Sequence, residues 1–260
     1  LSVGAKQEEL EYVYERDLKA VPTFGVIPCT ATFGTEPYSE QPLMPTKKIE
    51  GLRSDGTLHM DHKLVIHKPI PKEGKLHLEK VISAVYDRGE GKGAKINVDI
   101  IAKDGAGEPV FTNTMGYLNR WAGGFGGPKV PHSSVVIPER EADYQIKDAY
   151  PENVPLLYRL TGDTYPLHAD PAFAKKAGFD RPIVHGLCSL GYACRMMIGA
   201  LFPGEPERMV SIENQFRAVA LPGDHFTLCV WKTGENEALF RMVKDSDGKA
   251  ILDYGRMTWK

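Results

Sequence analysis

The sequence has little cysteine, no strong excess of charge and no long hydrophobic run, and each absence excludes a class of protein. Its 32 basic and 34 acidic residues give a formal net charge of -2, so overall charge makes no case for a nucleic acid or an anionic membrane surface as partner. No apolar run approaches the roughly 20 residues of a membrane-spanning helix, and no basic and then apolar leader is visible. We therefore expect a soluble protein with no nucleic-acid partner and no membrane span, although local basic patches remain possible.

The small number and wide spacing of the cysteines exclude further classes of protein. The four cysteines lie far apart in the sequence, at Cys29, Cys188, Cys194 and Cys229. Two of them fall on one apolar segment. This spacing predicts reduced, packed thiols and neither a disulfide framework nor a zinc cluster.

At 260 residues, the chain is long enough for one large domain or for two domains of ordinary size. Its pattern of predicted strands and turns occurs twice. Strand-like runs separated by Gly and Asp turns recur in the same order in both halves, at 74–86, 95–103 and 109–118, and then at 223–232, 238–244 and 250–259. Such runs are typical of antiparallel hairpins. The shared order predicts a duplicated α+β unit with one helix packed on each sheet, although the halves share little sequence identity.

Two features of the first half have simple structural interpretations. The glycine-rich stretch from Trp121 to Pro128 lacks the spacing of a dinucleotide-binding fingerprint and no helical pattern follows it, so a flexible or tightly folded linker is favoured. Nearby histidines, His59 and His62 among them, are explained by alternation along a half-exposed strand. A metal site that uses His59 and Asp61 is the alternative.

Two side chains in the second half have complementary proton chemistry. Asp163 follows Gly162 in a turn-forming pair, and His168 comes shortly after Pro166, so a turning backbone can direct both side chains toward one small volume. An imidazole has the side-chain pKa nearest neutrality, and a carboxylate beside it orients the ring or exchanges a proton itself. The structural alternative is that Asp163 caps a turn and His168 is a hydrogen-bonded core histidine.

Two predicted helices follow these side chains. Asp170 and Pro171 are typical of an N-cap and first helical residue, and Gly178 ends this short helix. A longer apolar helix begins near His185 and Gly186 and ends before a Phe-Pro-Gly stretch. Glycine at that N-terminus lets a substrate carbonyl approach a free N–H group, where the helix dipole stabilises negative charge on oxygen. The segment therefore predicts the scaffold of a reactive site.

The same segment resembles the signature of a known family. The stretch Tyr158-Arg-Leu-Thr-Gly-Asp-Thr-Tyr-Pro-Leu-His-Ala-Asp-Pro171, with Ala177-Gly-Phe-Asp-Arg-Pro-Ile-Val-His-Gly-Leu-Cys188, resembles the MaoC-like, R-specific 2-enoyl-CoA hydratases known as hydratase 2. Further stretches are similar to the two-module eukaryotic form found in peroxisomal multifunctional enzymes, at Pro22–Val26, Lys68–Leu76, Asp87–Gly89 and Gly123–Gly127. The resemblance covers nearly the whole chain.

This resemblance implies an α+β double hot dog fold, in which each of two modules is a long helix wrapped by a curved antiparallel sheet. We expect a degenerate first module that accommodates acyl chain and CoA over residues 1–125, a linker over 126–150, and the catalytic module over 151–260. The segment that contains Asp163 and Gly186 has no counterpart in the first half, so one active site per chain is expected.

Carried over position by position, the resemblance implies that Asp163 and His168 add water across the C2–C3 double bond of a trans-2-enoyl-CoA. His168 would take a proton from the attacking water, Asp163 would supply or relay a proton to C2, and the N–H of Gly186 would hold the thioester oxygen. The implied product is a (3R)-3-hydroxyacyl-CoA of fatty-acid β-oxidation, formed with no metal and no cofactor except the CoA of the substrate. The implied substrate-binding residues are His59, Met60, Arg88, Thr164, Tyr165, Pro166, Leu167 and Phe216. Arg88 is suited to a CoA phosphate.

The sequence departs from the family at Tyr165, where the family has an asparagine whose amide is expected to position the water. A phenol is larger and offers one hydroxyl in place of a carbonyl and an NH2 group. Three alternatives therefore stay open: an acyl-CoA-binding protein with weak or no hydratase activity, a hot dog acyl-CoA thioesterase, and a metal-dependent hydrolase that uses Asp163, His168, Asp170 and His185.

The resemblance also bears on partners and compartment. We expect an acyl-CoA substrate and a second copy of the chain in a homodimer. The family implies a peroxisomal location, but Met257-Thr-Trp-Lys260 is not an address of the Ser-Lys-Leu type, which leaves the cytoplasm as the alternative. Because the chain starts at Leu1, a fragment of a larger multifunctional protein is a further alternative.

Overall fold

The computed structural model describes residues 1–31 and 57–260, and within them nine strands form one antiparallel sheet. The strands are β1 (Thr57–Ile66), β2 (His77–Asp87), β3 (Ala94–Lys103), β4 (Pro109–Asn119), β5 (Tyr144–Ala149), β6 (Met209–Phe216), β7 (His225–Gly234), β8 (Glu237–Lys244) and β9 (Ala250–Trp259). The α-helices are α1 (Ile27–Ala31), α2 (Val154–Arg159), α3 (Pro171–Lys176) and α4 (Gly186–Leu201). Short 3-10 helices lie at Leu10–Tyr12, Glu15–Asp17, Pro22–Val26, Pro166–His168 and Pro206–Arg208.

The sheet consists of two halves that join at its centre. Its strand order is β2-β3-β4-β1-β6-β9-β8-β7-β5, so β1 and β6 meet in the middle. They pair antiparallel, with Asp61 opposite Gln215 and Val65 opposite Ser211. Outward from this junction, the three strands of each meander follow in the same sequence, β4-β3-β2 on one side and β9-β8-β7 on the other. The repeated order confirms the duplicated unit and the double hot dog fold.

Helix α4 is the long buried helix of the second module. All of its residues from Leu187 to Ile198 are buried, and they share one hydrophobic core with strands of both modules. A helix that is apolar on all sides is stable only when protein surrounds it. In the first module the structure describes α1, and residues 32–56, which follow it, lie outside the described residues.

Most predicted elements lie close to their observed bounds, and two differences concern domain organisation. Strand β5 falls within the segment 126–150 that was predicted as a linker, and it pairs with β7 through Tyr144 opposite Val230. The second module therefore begins earlier than predicted. Helix α2, just after the start of the predicted catalytic module, was not predicted.

The glycine-rich stretch is tightly folded around one carboxylate. Asp87 accepts hydrogen bonds from the N–H groups of Gly89 and Gly124 at 2.8 Å each and of Gly126 at 2.7 Å. These bonds, that of Gly89 first, hold the pKa of Asp87 below its usual value. The N–H groups of Gly124 and Gly126 are thus engaged within the protein, which agrees with the structural interpretation of the stretch.

The N-terminal segment, residues 1–21, packs on α4 through a buried arginine. Arg195 donates from Nε to the carbonyl oxygen of Val3 at 2.9 Å, and its Nη atoms pair with Glu9 at 2.7 Å and Asp148 at 3.0 Å. Because Asp148 lies on β5, one guanidinium joins the N-terminal segment, the edge strand and the long helix.

Two further findings concern the cysteines and the helices. All four cysteines are free thiols, and Cys29, Cys188 and Cys194 are buried. Within the described residues, no helix has both the length and the apolar character needed to cross a membrane.

Candidate functional site

The acid and base predicted from the sequence lie on a turn between α2 and α3. Gly162 adopts a positive φ of 125°, which lets the chain reverse direction directly before Asp163. The Arg159 guanidinium donates to the carbonyl oxygen of Thr164 and closes the turn. Pro166 then begins the 3-10 helix that ends at His168.

His168 is held in one orientation by the main chain of a neighbouring segment. Its Nδ1 atom lies 2.9 Å from the carbonyl oxygen of Ile183. A carbonyl oxygen only accepts, so Nδ1 carries the proton in the neutral ring and Nε2 has the free lone pair. The N–H of Ile183 donates in turn to the carbonyl oxygen of Leu167 at 3.4 Å, which joins the two segments. Nε2 of His168 is therefore the atom that can accept a proton.

Burial shifts the proton affinities of Asp163 and His168 in opposite directions. Burial raises the pKa of the Asp163 carboxyl, and the charge of His168 opposes this shift. Burial lowers the pKa of the His168 imidazole, and the charge of Asp163 opposes that shift. The uncharged forms, a protonated carboxyl and a neutral imidazole, are thus favoured together. Two groups whose pKa values are displaced in this way are suited to act as an acid and a base.

Gly186 supplies an accessible main-chain N–H beside this pair. It is exposed, although its neighbours His185 and Leu187 are buried, and it is the first residue of α4. N–H groups in the first turn of a helix have no partner within the helix. A Cβ atom at Gly186 would lie 2.9 Å from ring atoms of Phe216, so only glycine fits without moving that ring. The structure therefore brings Gly186 and Phe216, two of the predicted site residues, into contact.

The first module contributes two rings to the same region. The His59 ring on β1 lies 4.9 Å from Phe216 and 5.0 Å from Tyr117, measured between ring centroids. Burial lowers the pKa of His59 to about 3, so this ring is neutral. Met60 lies at a bulge where the pairing of β1 with β4 shifts register. The predicted positions His59, Met60 and Phe216 therefore lie where the two modules meet.

His62 lies on the buried face of β1, where buried and partly exposed residues alternate from His62 to Val65 as expected of a half-exposed strand. His62 is only 1% exposed, and its Nε2 atom lies 2.8 Å from the amide oxygen of Asn113. Burial lowers the pKa of His62 to about 4. It is a buried polar residue between the sheet and the 3-10 helix Pro22–Val26, because Asn113 donates in turn to the carbonyl oxygen of Gly25 at 3.0 Å.

Tyr117 was missed by the sequence interpretation. It lies on β4 opposite His59, and the charge of Asp163 adds to burial in raising the pKa of its phenol. Tyr117 is therefore close enough for the charge of Asp163 to affect the pKa of its phenol, although the two residues lie in different modules. No local motif marks this tyrosine, since its place depends on strand pairing.

The imidazole of His185, which the sequence suggested only as a ligand of the alternative metal site, lies beside the reactive pair. Its ring is stacked on that of His168, with centroids 3.7 Å apart and an angle of 24° between the planes. Tyr158 lies against His185 at a centroid distance of 4.7 Å. The only sequence signal was the position of His185 directly before Gly186.

Tyr165, the residue that departs from the family pattern, lies against two aromatic rings. Its ring centroid is 6.1 Å from that of His168 and 5.5 Å from that of Phe173, with an edge-on geometry in both cases. The N–H of Tyr165 donates to Oδ1 of Asp163 at 3.3 Å. The main chain of this residue therefore helps to hold the carboxylate, and its side chain forms part of the pocket wall.

Arg88 lies further from the reactive pair, at the end of β2. Strand pairing places a row of residues across β2, β3, β4 and β1 at this end of the sheet: Asp87, Ala94, Asn119 and Thr57. His59 is close to the same end, so Arg88 is separated from it by three strand spacings, roughly 14 Å. The exposed guanidinium of Arg88 donates to the carbonyl oxygen of Lys92 at 3.3 Å.

An apolar cavity of about 260 Å³ lies beside the first turn of α4. It is lined by the N-terminal segment and by Phe24, Ile27, Tyr158, Thr161 and Leu187 among others. Leu187 belongs to the first turn of α4, and Phe24 and Ile27 belong to the first module, so the cavity lies between the two.

Metal-ligating residues do not cluster in the part of the chain that the structure describes. Among those residues, no group of three or more His, Cys, Asp or Glu is arranged to hold a metal ion. Asp170, one of the proposed ligands of a metal-dependent hydrolase, instead caps α3 and accepts from the N–H groups of Ala172 at 2.8 Å and Phe173 at 3.3 Å.

Sequence profiles of two families match this chain, one in each half. The MFE-2 hydratase 2 N-terminal domain matches residues 1–120, and the MaoC like domain matches residues 134–252. The two matches together span both modules of the fold.

Named relatives match over nearly the full chain. A probable enoyl-CoA hydratase 2 of Dictyostelium discoideum is 33% identical over 265 residues, which cover 98% of this chain and 86% of that protein. Peroxisomal multifunctional enzyme type 2 of Mus musculus is 33% identical over 97% of this chain but only 34% of its own length. Among solved structures, a MaoC-like dehydratase from Phytophthora capsici superposes with a TM-score of 0.86 at 28% identity, covering 100% of this chain and 89% of that one.

Proposed function

Because this chain belongs to the hydratase 2 family of MaoC-like enoyl-CoA hydratases, we propose that it is a hydro-lyase that converts trans-2-enoyl-CoA to (3R)-3-hydroxyacyl-CoA in fatty-acid β-oxidation. The observation that carries the proposal is the pairing of a neutral His168 with a carboxyl at Asp163 whose pKa is raised, beside an exposed helix N-terminus at Gly186. Hydration needs a base, an acid and a donor to the thioester oxygen, and these three groups supply them.

The proposed reaction assigns one role in bond formation to each of the three groups. Nε2 of His168 accepts a proton from water as the oxygen of that water forms a bond to C3. The electron pair of the double bond moves toward the thioester oxygen, where the N–H of Gly186 stabilises the enolate. The carboxyl of Asp163 then donates its proton to C2, and the proton on His168 returns to Asp163. The reverse sequence eliminates water. Every step uses groups of this protein, and CoA enters only as part of the substrate.

We propose that the remaining predicted residues bind the substrate along the junction of the modules. His59, Met60 and Phe216 would contact the part of the thioester near Gly186. The run from Thr164 to Leu167 would form the wall beside the reactive carbons. Arg88, at the same end of the sheet as His59, is placed to pair with a CoA phosphate. The cavity next to Leu187 is apolar and opens toward the first module, which suits an acyl chain.

Compartment and assembly are proposals of the same kind. The mouse relative and an Arabidopsis thaliana relative are both named as peroxisomal, and we propose a peroxisomal location for this chain as well. We also propose a homodimer, which the mass measured by light scattering on the purified chain would test.

The central experiment follows the enoyl-thioester absorbance with crotonyl-CoA and with a C10 enoyl-CoA, and resolves the products by chirality. Formation of the 3R product supports the proposal. Release of free CoA from a saturated acyl-CoA would instead indicate a thioesterase, and binding of acyl-CoA without turnover would indicate a binding protein.

Two substitutions test the residue roles. Asp163→Asn and His168→Gln should each lower kcat by at least about 100-fold, the usual loss when a proton-transfer group is removed. Asp170→Asn is the matched control, because it makes the same carboxylate-to-amide change nearby and asparagine still caps a helix. Near-normal turnover in a folded Asp163→Asn or His168→Gln variant would overturn the assignment.

A further inference from the structure

His185 is an unusual residue for the place that it occupies. It is the N-cap of α4, with φ of -62° and ψ of 134°, and its side chain makes no capping hydrogen bond. Ser, Thr, Asp and Asn are preferred at this position because their oxygens accept from free N–H groups. The ring of His185 must therefore contribute in another way.

The ring of His185 packs against one face of the His168 imidazole, which is the candidate base. It is 1% exposed and lies flat against His168, with centroids 3.7 Å apart and planes 24° from parallel. Tyr158 supports it at a centroid distance of 4.7 Å. The His168 ring is thus fixed by an edge contact, from Nδ1 to the carbonyl oxygen of Ile183, and by this face contact. The edge contact alone permits the ring to tilt about the hydrogen bond.

Building on the proposed hydration, we propose that His185 is a positioning residue: its uncharged ring stacks on His168, fixes the plane of that imidazole and supports the positive charge that develops there. The stack keeps Nε2 directed at the attacking water. A neutral aromatic face also attracts a cation that forms over it. A base misplaced by about 1 Å loses roughly 100-fold in rate, so a fixed plane matters for turnover.

The charge state of His185 agrees with this role. Burial lowers its pKa to about 2, and the charge of His168 acts in the same direction. Neither ring nitrogen of His185 has a hydrogen-bond partner of good geometry in the described residues, although the main chain of Asp163 faces the ring and weakly opposes the lowering of the pKa. Two stacked imidazolium ions would repel each other. Only His168 can therefore take up the proton.

The groups that affect this stack come from several elements. The titratable or charged side chains that face His168, His185 or their direct partners are Asp163, Arg159, Tyr158, Tyr165, Tyr117 and Cys188. Tests of pH dependence must leave these side chains in place, so the variants change His185 alone.

Two variants separate the flat ring from simple filling of space. His185→Leu keeps an apolar side chain of moderate size but removes the aromatic face. We expect kcat to fall by about 10-fold or more, with KM changed less than about twofold, because the loss affects the reacting group and not substrate binding. His185→Phe restores an aromatic face, and we expect it to recover kcat to within about threefold of the wild-type chain.

A pH profile distinguishes positioning from a merely structural role. The acidic limb of kcat/KM reports protonation of the base in the free enzyme. Without the aromatic face the imidazolium of His168 is less stable, so the limb should move to lower pH in His185→Leu and return in His185→Phe. Damage to packing alone lowers the melting temperature and the active fraction but leaves the limb in place.

The stack is also measurable without turnover. In 15N,1H spectra of selectively labelled histidine, the carbon-bound ring protons of His168 should be shifted upfield by the ring beneath them. This shift should vanish in His185→Leu and persist in His185→Phe. Phe202→Leu is the control for loss of a buried ring, since Phe202 is 1% exposed and follows the opposite end of α4.

The outcomes separate this inference from the proposed function. If the wild-type chain hydrates enoyl-CoA but a folded His185→Leu variant keeps its kcat and its acidic limb, the inference is wrong and the function stands. An equal loss in His185→Phe and His185→Leu would also overturn it. If the wild-type chain does not hydrate, the proposed function fails, and an absent upfield shift at His168 would reject the stack in its own right.

Discussion

Tyr165 is the residue at which this chain departs from its family, and its contacts indicate a structural use of the ring. Its edge-on packing with Phe173 and His168 places an aromatic wall where the family has an amide. Burial raises the pKa of its phenol, and the charge of Asp163 adds to that shift. The ring and the reactive carboxylate therefore share one environment.

We expect Tyr165→Asn to lower both the melting temperature and kcat. Removal of a packed ring leaves a cavity that costs about 1–3 kcal/mol at a half-buried site, and it loosens one side of His168. Thermal unfolding and turnover of crotonyl-CoA are the measurements. Tyr165→Phe is the control, because it keeps the ring and removes only the hydroxyl. A rise in kcat in Tyr165→Asn at unchanged stability would show instead that the missing amide limits positioning of the water.

Arg88 tests the proposed path of CoA across the end of the sheet. A phosphate contact far from the reacting carbons is present in the ground state and the transition state alike, so Arg88→Ala should raise KM for CoA esters more than it lowers kcat. The effect should shrink as salt is added, since the guanidinium is exposed. Lys92→Ala, in the same turn, is a control for general loss of positive charge. An unchanged KM at low ionic strength would remove Arg88 from the binding site.

Short stretches of sequence predicted some residues of the site and not the contacts between distant ones. Gly162 and Pro166 fix a turn, and a turn can be predicted from the few residues that form it. The contact between His59 and Phe216, in contrast, depends on the pairing of β1 with β6 across more than half of the chain. The burial of His62 is a similar case, because the partner of its side chain is the distant Asn113.

At the scale of elements, helices with caps and strands in hairpins were predictable, whereas of the two junction strands only β1 was expected, as a half-exposed strand around His59 and His62. Helix α3 has its capping aspartate and first-turn proline, and α4 has a long apolar pattern in which Arg195 is the one charged residue. The junction strands have no hairpin connection to each other, and they bury the polar residues His62 and Asn214, which interrupt the apolar pattern. Such strands are stabilised by long-range pairing, for which a short window of sequence contains no signal.

The N-terminal segment offers a prediction at this scale, because one buried cation holds it against α4. Arg195→Met leaves Glu9 and Asp148 without their shared partner, and removal of one partner from a buried pair costs about 3–5 kcal/mol. We expect a lower free energy of unfolding in urea and faster proteolysis within residues 1–21. Lys6→Met is the matched control: Lys6 also pairs with Asp148 but is half exposed, so a change below about 1 kcal/mol is expected. Equal effects of the two variants would show that the segment is not held by the buried guanidinium.

At the scale of the whole molecule, the junction of β1 and β6 explains why one chain has one candidate site. The second module supplies the acid, the base and the helix N-terminus, and the first supplies His59 and Tyr117 close to the junction of β1 and β6. Both modules share a continuous hydrophobic core. Separate modules would therefore expose core surface and split the site, so tests of function require the complete chain.

Buried neutral histidines give the molecule a predictable sensitivity to acid. Burial lowers the pKa of His59 to about 3, of His62 to about 4 and of His185 to about 2, whereas an unfolded histidine titrates near pH 6.5. Between about pH 4 and pH 6.5 the unfolded chain therefore binds up to about three more protons than the folded chain, and stability falls as pH falls. Asp163 opposes this trend, because its pKa is raised in the folded state.

We expect the free energy of unfolding in urea to be nearly constant above about pH 7 and to decrease below about pH 6, with a slope that approaches roughly 4 kcal/mol per pH unit when all three histidines contribute. Replacing the buried His62 by phenylalanine removes one of these protons, so the slope in a folded His62→Phe variant should fall by about 1.4 kcal/mol per pH unit. His77→Gln is the comparison, because it removes a histidine that is exposed and not buried. A His62→Phe variant whose stability declines with acid as steeply as the wild-type chain would show that His62 is protonated in the folded protein, and that charge is tolerated beside the 3-10 helix Pro22–Val26.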